Sequence, residues 1–166
     1  MLIEALLEEH EEISRFCERL ERRCIALMEE NEFDVYAFRT DIAFIRSYAD
    51  ARHHKKEEVL LFQAMLDELG AVAVPSVKNG MLVEHNMGRL YVMQLERAVE
   101  NYATTCTPEN KLDILTQAMG YVHLIRTHID KENHALYPFA KRSLSPETLQ
   151  RLDAQYASDW APNEQK

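Results

Sequence analysis

Displaced by 75 residues, this chain lies over itself, and that self-match restricts its fold more than any other feature. Glu9-His10 falls on Glu84-His85, Leu20-Glu21-Arg22 on Leu95-Glu96-Arg97, His53 on His128, Lys56-Glu57 on Lys131-Glu132, and Leu61 on Leu136. The interval from His10 to His53 is 43 residues, as is that from His85 to His128. Two matched halves imply two copies of one supersecondary unit. A pseudo-twofold axis between them would bring the matched groups together in the middle.

The unit is a helical hairpin. Gly (4) and Pro (5) are scarce, and long tracts rich in Leu, Ala, Glu and Arg favour helix over strand. Breaks fall at Asn31 to Asp34, Gly70 to Gly80, Thr104 to Asn110 and Ser145-Pro146. Thr107-Pro108 and Ser145-Pro146 each place a capping hydroxyl before a proline in the first helical turn. The spacing predicts four long helices over about 2–30, 35–69, 77–104 and 109–142, and a short fifth over about 146–157. Short connections make successive helices antiparallel. The expected fold is therefore all-α: an up-down-up-down four-helix bundle over 1–142, with a short C-terminal helix and tail, 143–166, in the same domain.

Each long helix carries an apolar stripe at three-to-four spacing. The stripes read Ile3, Leu6, His10, Ile13 on the first helix and Ala49, His53, Glu57, Leu60 on the second. They read Leu82, His85, Gly88, Val92 on the third and Ile125, His128, Glu132, Ala135 on the fourth. Histidine interrupts all of them and glutamate two, so polar groups point into the core. Residues four apart share a helix face, so His53 and Glu57 aim at one point, as do His128 and Glu132. With His10 and His85 the candidate ligands are four imidazoles and two carboxylates, each carboxylate able to bridge two ions. Burying carboxylates without a counter-charge costs several kcal/mol or more, on the order of the effective penalties for buried ions. A pair of metal ions offsets that cost. Imidazole and carboxylate donors suit iron, manganese or zinc.

His54 sits about 100° off the stripe and is expected in a supporting or surface position. Its pairing with Glu58 is a competing frame. The repeat disfavours it, because His54 and Glu58 fall on Ile129 and Asn133. His123 and His134 also lie off the inward face. Tyr121 is expected to pack in the core, with a role in supporting the ligands or in gating as the alternative, and Cys17 to be a small core residue.

The net charge of −9 argues against nonspecific nucleic-acid binding and against docking on anionic lipid. No stretch approaches the roughly 18–20 apolar residues of a membrane span. The first residues have neither a basic region nor an unbroken apolar run, so a secretory signal is not expected. Cys17, Cys24 and Cys106 form no CxxC pair and read as free thiols of a cytoplasmic protein.

The residues around these positions resemble the hemerythrin-like (HHE cation-binding) family. The stretches that carry the likeness are Leu-Leu-Glu-Glu-His10, Tyr-Ala-Asp-Ala-Arg-His53-His-Lys-Lys-Glu57, Val-Glu-His85-Asn-Met-Gly-Arg and His128-Ile-Asp-Lys-Glu132-Asn-His-Ala-Leu-Tyr-Pro, in order. The resemblance implies two non-haem irons, oxo- or hydroxo-bridged, on His10, His53, Glu57, His85, His128 and Glu132, with manganese or zinc as substitutes. Oxygen-carrying members have a further histidine four residues after the third-helix ligand, where this chain has Arg89. They also end in a His-x-x-x-x-Asp pair, where this chain has His-x-x-x-Glu. The four-histidine, two-glutamate pattern is similar to the di-iron domain of repair-of-iron-centres proteins.

The resemblance implies a protein that binds or reacts with O2, NO or peroxide, in oxidative or nitrosative stress or in iron–sulfur cluster repair. The alternatives are a reversible oxygen carrier and a regulatory or structural bundle cemented by metal. Neither nucleic acid nor membrane is an expected partner. The acidic surface leaves room for a protein partner or a homo-oligomer.

Overall fold

The computed structural model describes residues 1–160; of the tail expected to follow the fifth helix, 161–166 lie outside the described residues. Among the described residues there is no strand. Helix α1 spans Leu2–Glu30, α2 spans 35–69, α3 spans 74–104, α4 spans 108–143 and α5 spans Pro146–Asp159.

Local chemistry sets the boundaries. Helix α1 stops at Asn31, which adopts the left-handed conformation (φ 56°) and turns its N–H back to the Ala26 carbonyl. Asp34 caps α2 by accepting from the Tyr36 and Ala37 N–H groups. Thr107 and Ser145 cap α4 and α5 by accepting from the Asn110 and Thr148 N–H groups. Gly70, at φ 55°, ends α2. Pro75, grouped by the sequence with a break running to Gly80, instead lies in the first turn of α3. Proline lacks only an N–H that a first turn leaves unbonded anyway, so the helix starts earlier than its composition suggests.

Helices α3 and α4 pack along their length, as do α1 with α4 and α2 with α3, closing a four-helix bundle. Two apolar cores lie along its axis. One runs from Ile13 and Ala49 through Phe16, Leu20, Leu95 and Ile114. The other gathers Leu2, Leu6, Leu61, Met65, Val77 and Leu136, with Leu152 from α5. On every long helix the inward histidine or glutamate falls between the two, so a polar layer separates them.

The long helices are not uniformly α-helical. Wider π-helical turns occur over Ile45–His54, Glu57–Phe62, Val77–Met81 and Glu132–Leu136. A π turn takes more residues than an α turn, so adjacent side chains diverge by a smaller angle. Three of these four stretches hold or border the polar layer.

Candidate metal centre

The polar layer contains two groups of buried side chains able to hold an ion. His10, His53, Glu57 and Glu132 form one, and His54, Glu57, His85 and His128 the other; within each, the potential ligand atoms all lie within 4.8 Å of one another. All six residues singled out from the sequence are brought together here, each no more than 1% exposed. The carboxylates lie between the groups. Glu57 Oε2 is 3.5 Å from both His53 Nε2 and His85 Nε2. Glu132 Oε2 is 3.2 Å from His10 Nε2 and 3.3 Å from His128 Nε2.

His54 departs from the sequence reading. It is not at the surface but 5% exposed, stacked on His85 with ring centroids 3.9 Å apart. The π turn over Ile45–His54 is the physical reason, because it narrows the angle between His53 and His54 enough for both to face inward. The layer therefore holds five imidazoles, His10 and His53 on one side and His54, His85 and His128 on the other. The expected two-and-two symmetry is replaced by two-and-three. His123 and His134 are exposed, as anticipated.

Four of the five histidines are oriented through Nδ1. His53 donates to Glu9 (3.0 Å), His128 to Glu84 (2.9 Å), His85 to Glu58 (2.8 Å) and His10 to the Asn133 amide oxygen (2.7 Å). Carboxylate and amide oxygens only accept, so Nδ1 carries a proton, and in the neutral ring the Nε2 lone pair faces the centre. These supports obey the repeat: Glu9 matches Glu84, Glu58 matches Asn133, and Lys56 and Lys131 ion-pair with Glu9 and Glu84. Sequence reasoning passed over their role, although Glu9, Glu84 and both lysines recur at the offset already noted. Lys56 is fully buried, with its ammonium 5.4 Å from the Tyr156 ring of α5.

Tyr137 was also missed. Its hydroxyl donates to Glu57 Oε1, and its ring stacks on His10 at 5.4 Å. The matching residue in the other half is Phe62, which has no hydroxyl to give. Arg89 does not face the ligands. It pairs with Asp50 (2.7 Å) and with Glu58 (2.8 Å), the carboxylate that orients His85.

The donors fit metal ions on physical grounds. Glu57 Oε2, both Glu132 oxygens and His53 Nε2 are buried with no hydrogen-bond partner. Orphaned buried polar atoms are rare, and each costs about 1–3 kcal/mol. His85 Nε2 and His128 Nε2 are 3.2 Å apart, two lone pairs that repel until a cation or proton lies between them. Burial and the neighbouring Glu132 charge push the Glu57 carboxyl well above its usual range. Burial also opposes ionisation of Glu132, but His128 and His10 hold it low. Burial drives His53 well below the usual imidazole value, takes His54 down to about 3, and lowers His85. Burial thus biases His53, His54 and His85 toward the neutral form, beside two carboxylates that cannot both be charged without added positive charge.

The fold and the site together define a helical-bundle protein with a buried histidine–carboxylate centre for metal cations. Residues 1–140 match the hemerythrin HHE cation-binding domain. The chain belongs to the hemerythrin HHE cation-binding family. A search of curated proteins finds none that matches it. No helix of the described residues is long and apolar enough to cross a membrane.

Proposed function

We propose that this chain is a non-haem di-iron protein that binds or reacts with a small ligand: O2, NO or hydrogen peroxide. The observation that carries the reading is the pair of buried ligand groups sharing Glu57, with carboxylate and imidazole atoms left without protein partners. His10, His53, His54, His85 and His128, with Glu57 and Glu132, would hold the ions. Two ferrous ions there would supply electrons and positions at which a small molecule could bind. The protein orients four imidazoles through Nδ1, keeps bulk water out with an apolar core on either side, and steadies one Glu57 oxygen with the Tyr137 hydroxyl. A role in oxidative or nitrosative stress, or in iron–sulfur cluster repair, is what the resemblance of the four-histidine, two-glutamate sequence pattern to repair-of-iron-centres proteins suggests. The cytoplasm suits the net charge of −9 and three unpaired cysteines.

The test is anaerobic iron loading, metal analysis and optical titration of the reduced protein with O2, NO and peroxide. The expected result is two irons per chain and a spectral change with at least one ligand. An iron-loaded protein inert to all three would leave only a structural role for the metal.

The two-and-three division of imidazoles favours a second reading, reversible oxygen carriage. The oxygen carriers of this family have five histidines, and His54 supplies a fifth from α2 where Arg89 on α3 cannot. Repeated oxygen exposure and removal with full return of the reduced spectrum would establish that reading. Progressive oxidation would exclude it.

A further inference from the structure

Beside the centre, between α2, α3 and α4, lies a cavity of about 120 Å³. A buried water needs roughly 10–15 Å³ of such space, so a diatomic or a peroxide fits with room to move. Ile45, Gly88 and Val92 form apolar wall, Tyr121 and His54 the buried end, and Asp50 with Arg46 and Arg89 the exposed end.

The internal repeat shows that this space is specified by sequence. In the other half, the residues matching Gly88, Asp50 and His54 are Ile13, Ile125 and Ile129. Those three isoleucines are buried, at 2%, 2% and 8% exposure. One side of the bundle is filled with branched apolar side chains; on the other, the same positions carry no side chain, a carboxylate and an imidazole.

The buried end holds two polar atoms with no partner. Tyr121 Oη and His54 Nδ1 are both enclosed and make no hydrogen bond. Asp50 Oδ1 approaches His54 Nδ1 only to 3.7 Å, beyond hydrogen-bond range. A buried hydroxyl donor without a partner calls for an acceptor that the protein does not provide. At the exposed end both guanidiniums are already matched, Arg89 by Asp50 and Glu58, and Arg46 by Glu96. No free positive charge is left to draw an anion.

We propose that this cavity is a port that admits and briefly holds a small uncharged hydrogen-bond acceptor, of the size of nitric oxide or hydrogen peroxide, one residue away from the metal pair. The inference rests on the small-ligand reading above. His54 is the shared element: it lines the cavity and belongs to the ligand group with Glu57, His85 and His128. Tyr121, placed in the core by its spacing, is a positioning residue whose hydroxyl greets the incoming molecule.

The probe is nitric oxide mixed with the reduced, iron-loaded protein in a stopped-flow instrument, with xenon diffraction on metal-free crystals as a readout independent of iron. Gly88→Val fills the port and is expected to slow NO association about tenfold while leaving iron content and the final spectrum unchanged. Gly88→Ala keeps the test valid if valine disturbs folding. A Cβ there meets its nearest atoms at 3.8–4.0 Å, which is ordinary contact, and a smaller slowing is expected. Tyr121→Phe keeps the shape and removes the hydroxyl, so association holds and NO leaves about fivefold faster. Xenon is expected in the wild-type cavity and absent from Gly88→Val. Equal association rates in wild type, Gly88→Ala and Gly88→Val would place the route elsewhere and overturn the port alone, as would a wild-type cavity without xenon. A two-iron wild type that forms no NO adduct overturns the small-ligand reading, and the port with it.

Discussion

Glu57 is the side chain shared by both ligand groups, whereas His54 belongs to one. Their replacements therefore differ in kind. Glu57→Ala is expected to lose iron from both positions. His54→Ala is expected to weaken one position at least tenfold, taking the outer-ligand effect of 10–100-fold as a floor, and to spare the other. Iron titration followed by metal analysis separates the two outcomes; a His54→Ala protein that holds two irons as tightly as wild type would remove His54 from the ligand set. The supporting carboxylates belong to the same scale. Glu84→Gln weakens the grip on the His128 tautomer and is expected to cost about 10–100-fold in iron affinity, with little change in secondary structure by circular dichroism. Position 54 also marks where sequence reasoning stops. The ideal helical angle sends it off the inward face, and only the π turn returns it.

At the scale of the element, α5 does more than close the chain. Leu152 is 2% exposed and packs in the core that holds Leu2, Leu6 and Leu61. Asp153 accepts from the Leu2 N–H at 2.7 Å, tying the end of the chain to its beginning. Leu152→Ala is expected to cost about 2–5 kcal/mol, the range for large-to-small changes in cores. Asp34→Ala, which removes the acceptor for two N–H groups of α2, is expected to cost about 1 kcal/mol. Urea unfolding measures both, and a larger loss at Asp34 than at Leu152 would contradict this ordering. The Thr107 and Ser145 caps were legible in the sequence because Thr-Pro and Ser-Pro act within one turn. The early start of α3 was not, because Gly, Pro and Asn within a few residues read equally well as a loop.

For the whole molecule, the metal and the proton compete for one polar layer. A ligand that binds only the folded state adds stability by mass action, about 4 kcal/mol at a thousandfold excess over its dissociation constant. In the metal-free protein, burial lowers His53, His54 and His85 from the ordinary 6.5. The unfolded chain then binds protons that the fold does not, so stability rises with pH up to about 6.5. Glu57 acts in the opposite sense. Raised above its ordinary 4.5, it keeps a proton in the fold that the unfolded chain has lost, so its contribution declines as pH climbs toward its raised value. Above the ordinary imidazole value the histidine contribution is complete. Metal-free protein should therefore gain stability up to about pH 6.5, and its melting temperature should fall behind that of the iron-loaded protein as Glu57 ionises. Calorimetry of both forms decides this; a gap that stays constant across the range would mean that Glu57 is not what the metal relieves.

The sequence by itself determined the all-α bundle, because every long segment carries a three-to-four apolar stripe and a helix-favouring composition, which leaves only other helices to bury it against. It also determined which six side chains meet, since the 75-residue repeat and the four-residue His-to-Glu spacing put them on inward faces at one level. Both signals are periodic, and so can be read along a line. What the tertiary structure alone decided is the asymmetry. A local π turn brings His54 inward, Tyr137 reaches Glu57 from 80 residues away, and Gly88 leaves space beside Tyr121 that Ile13 fills in the other half. None of these follows from periodicity, because each depends on a departure from ideal helical geometry or on which side chains from separate helices come face to face.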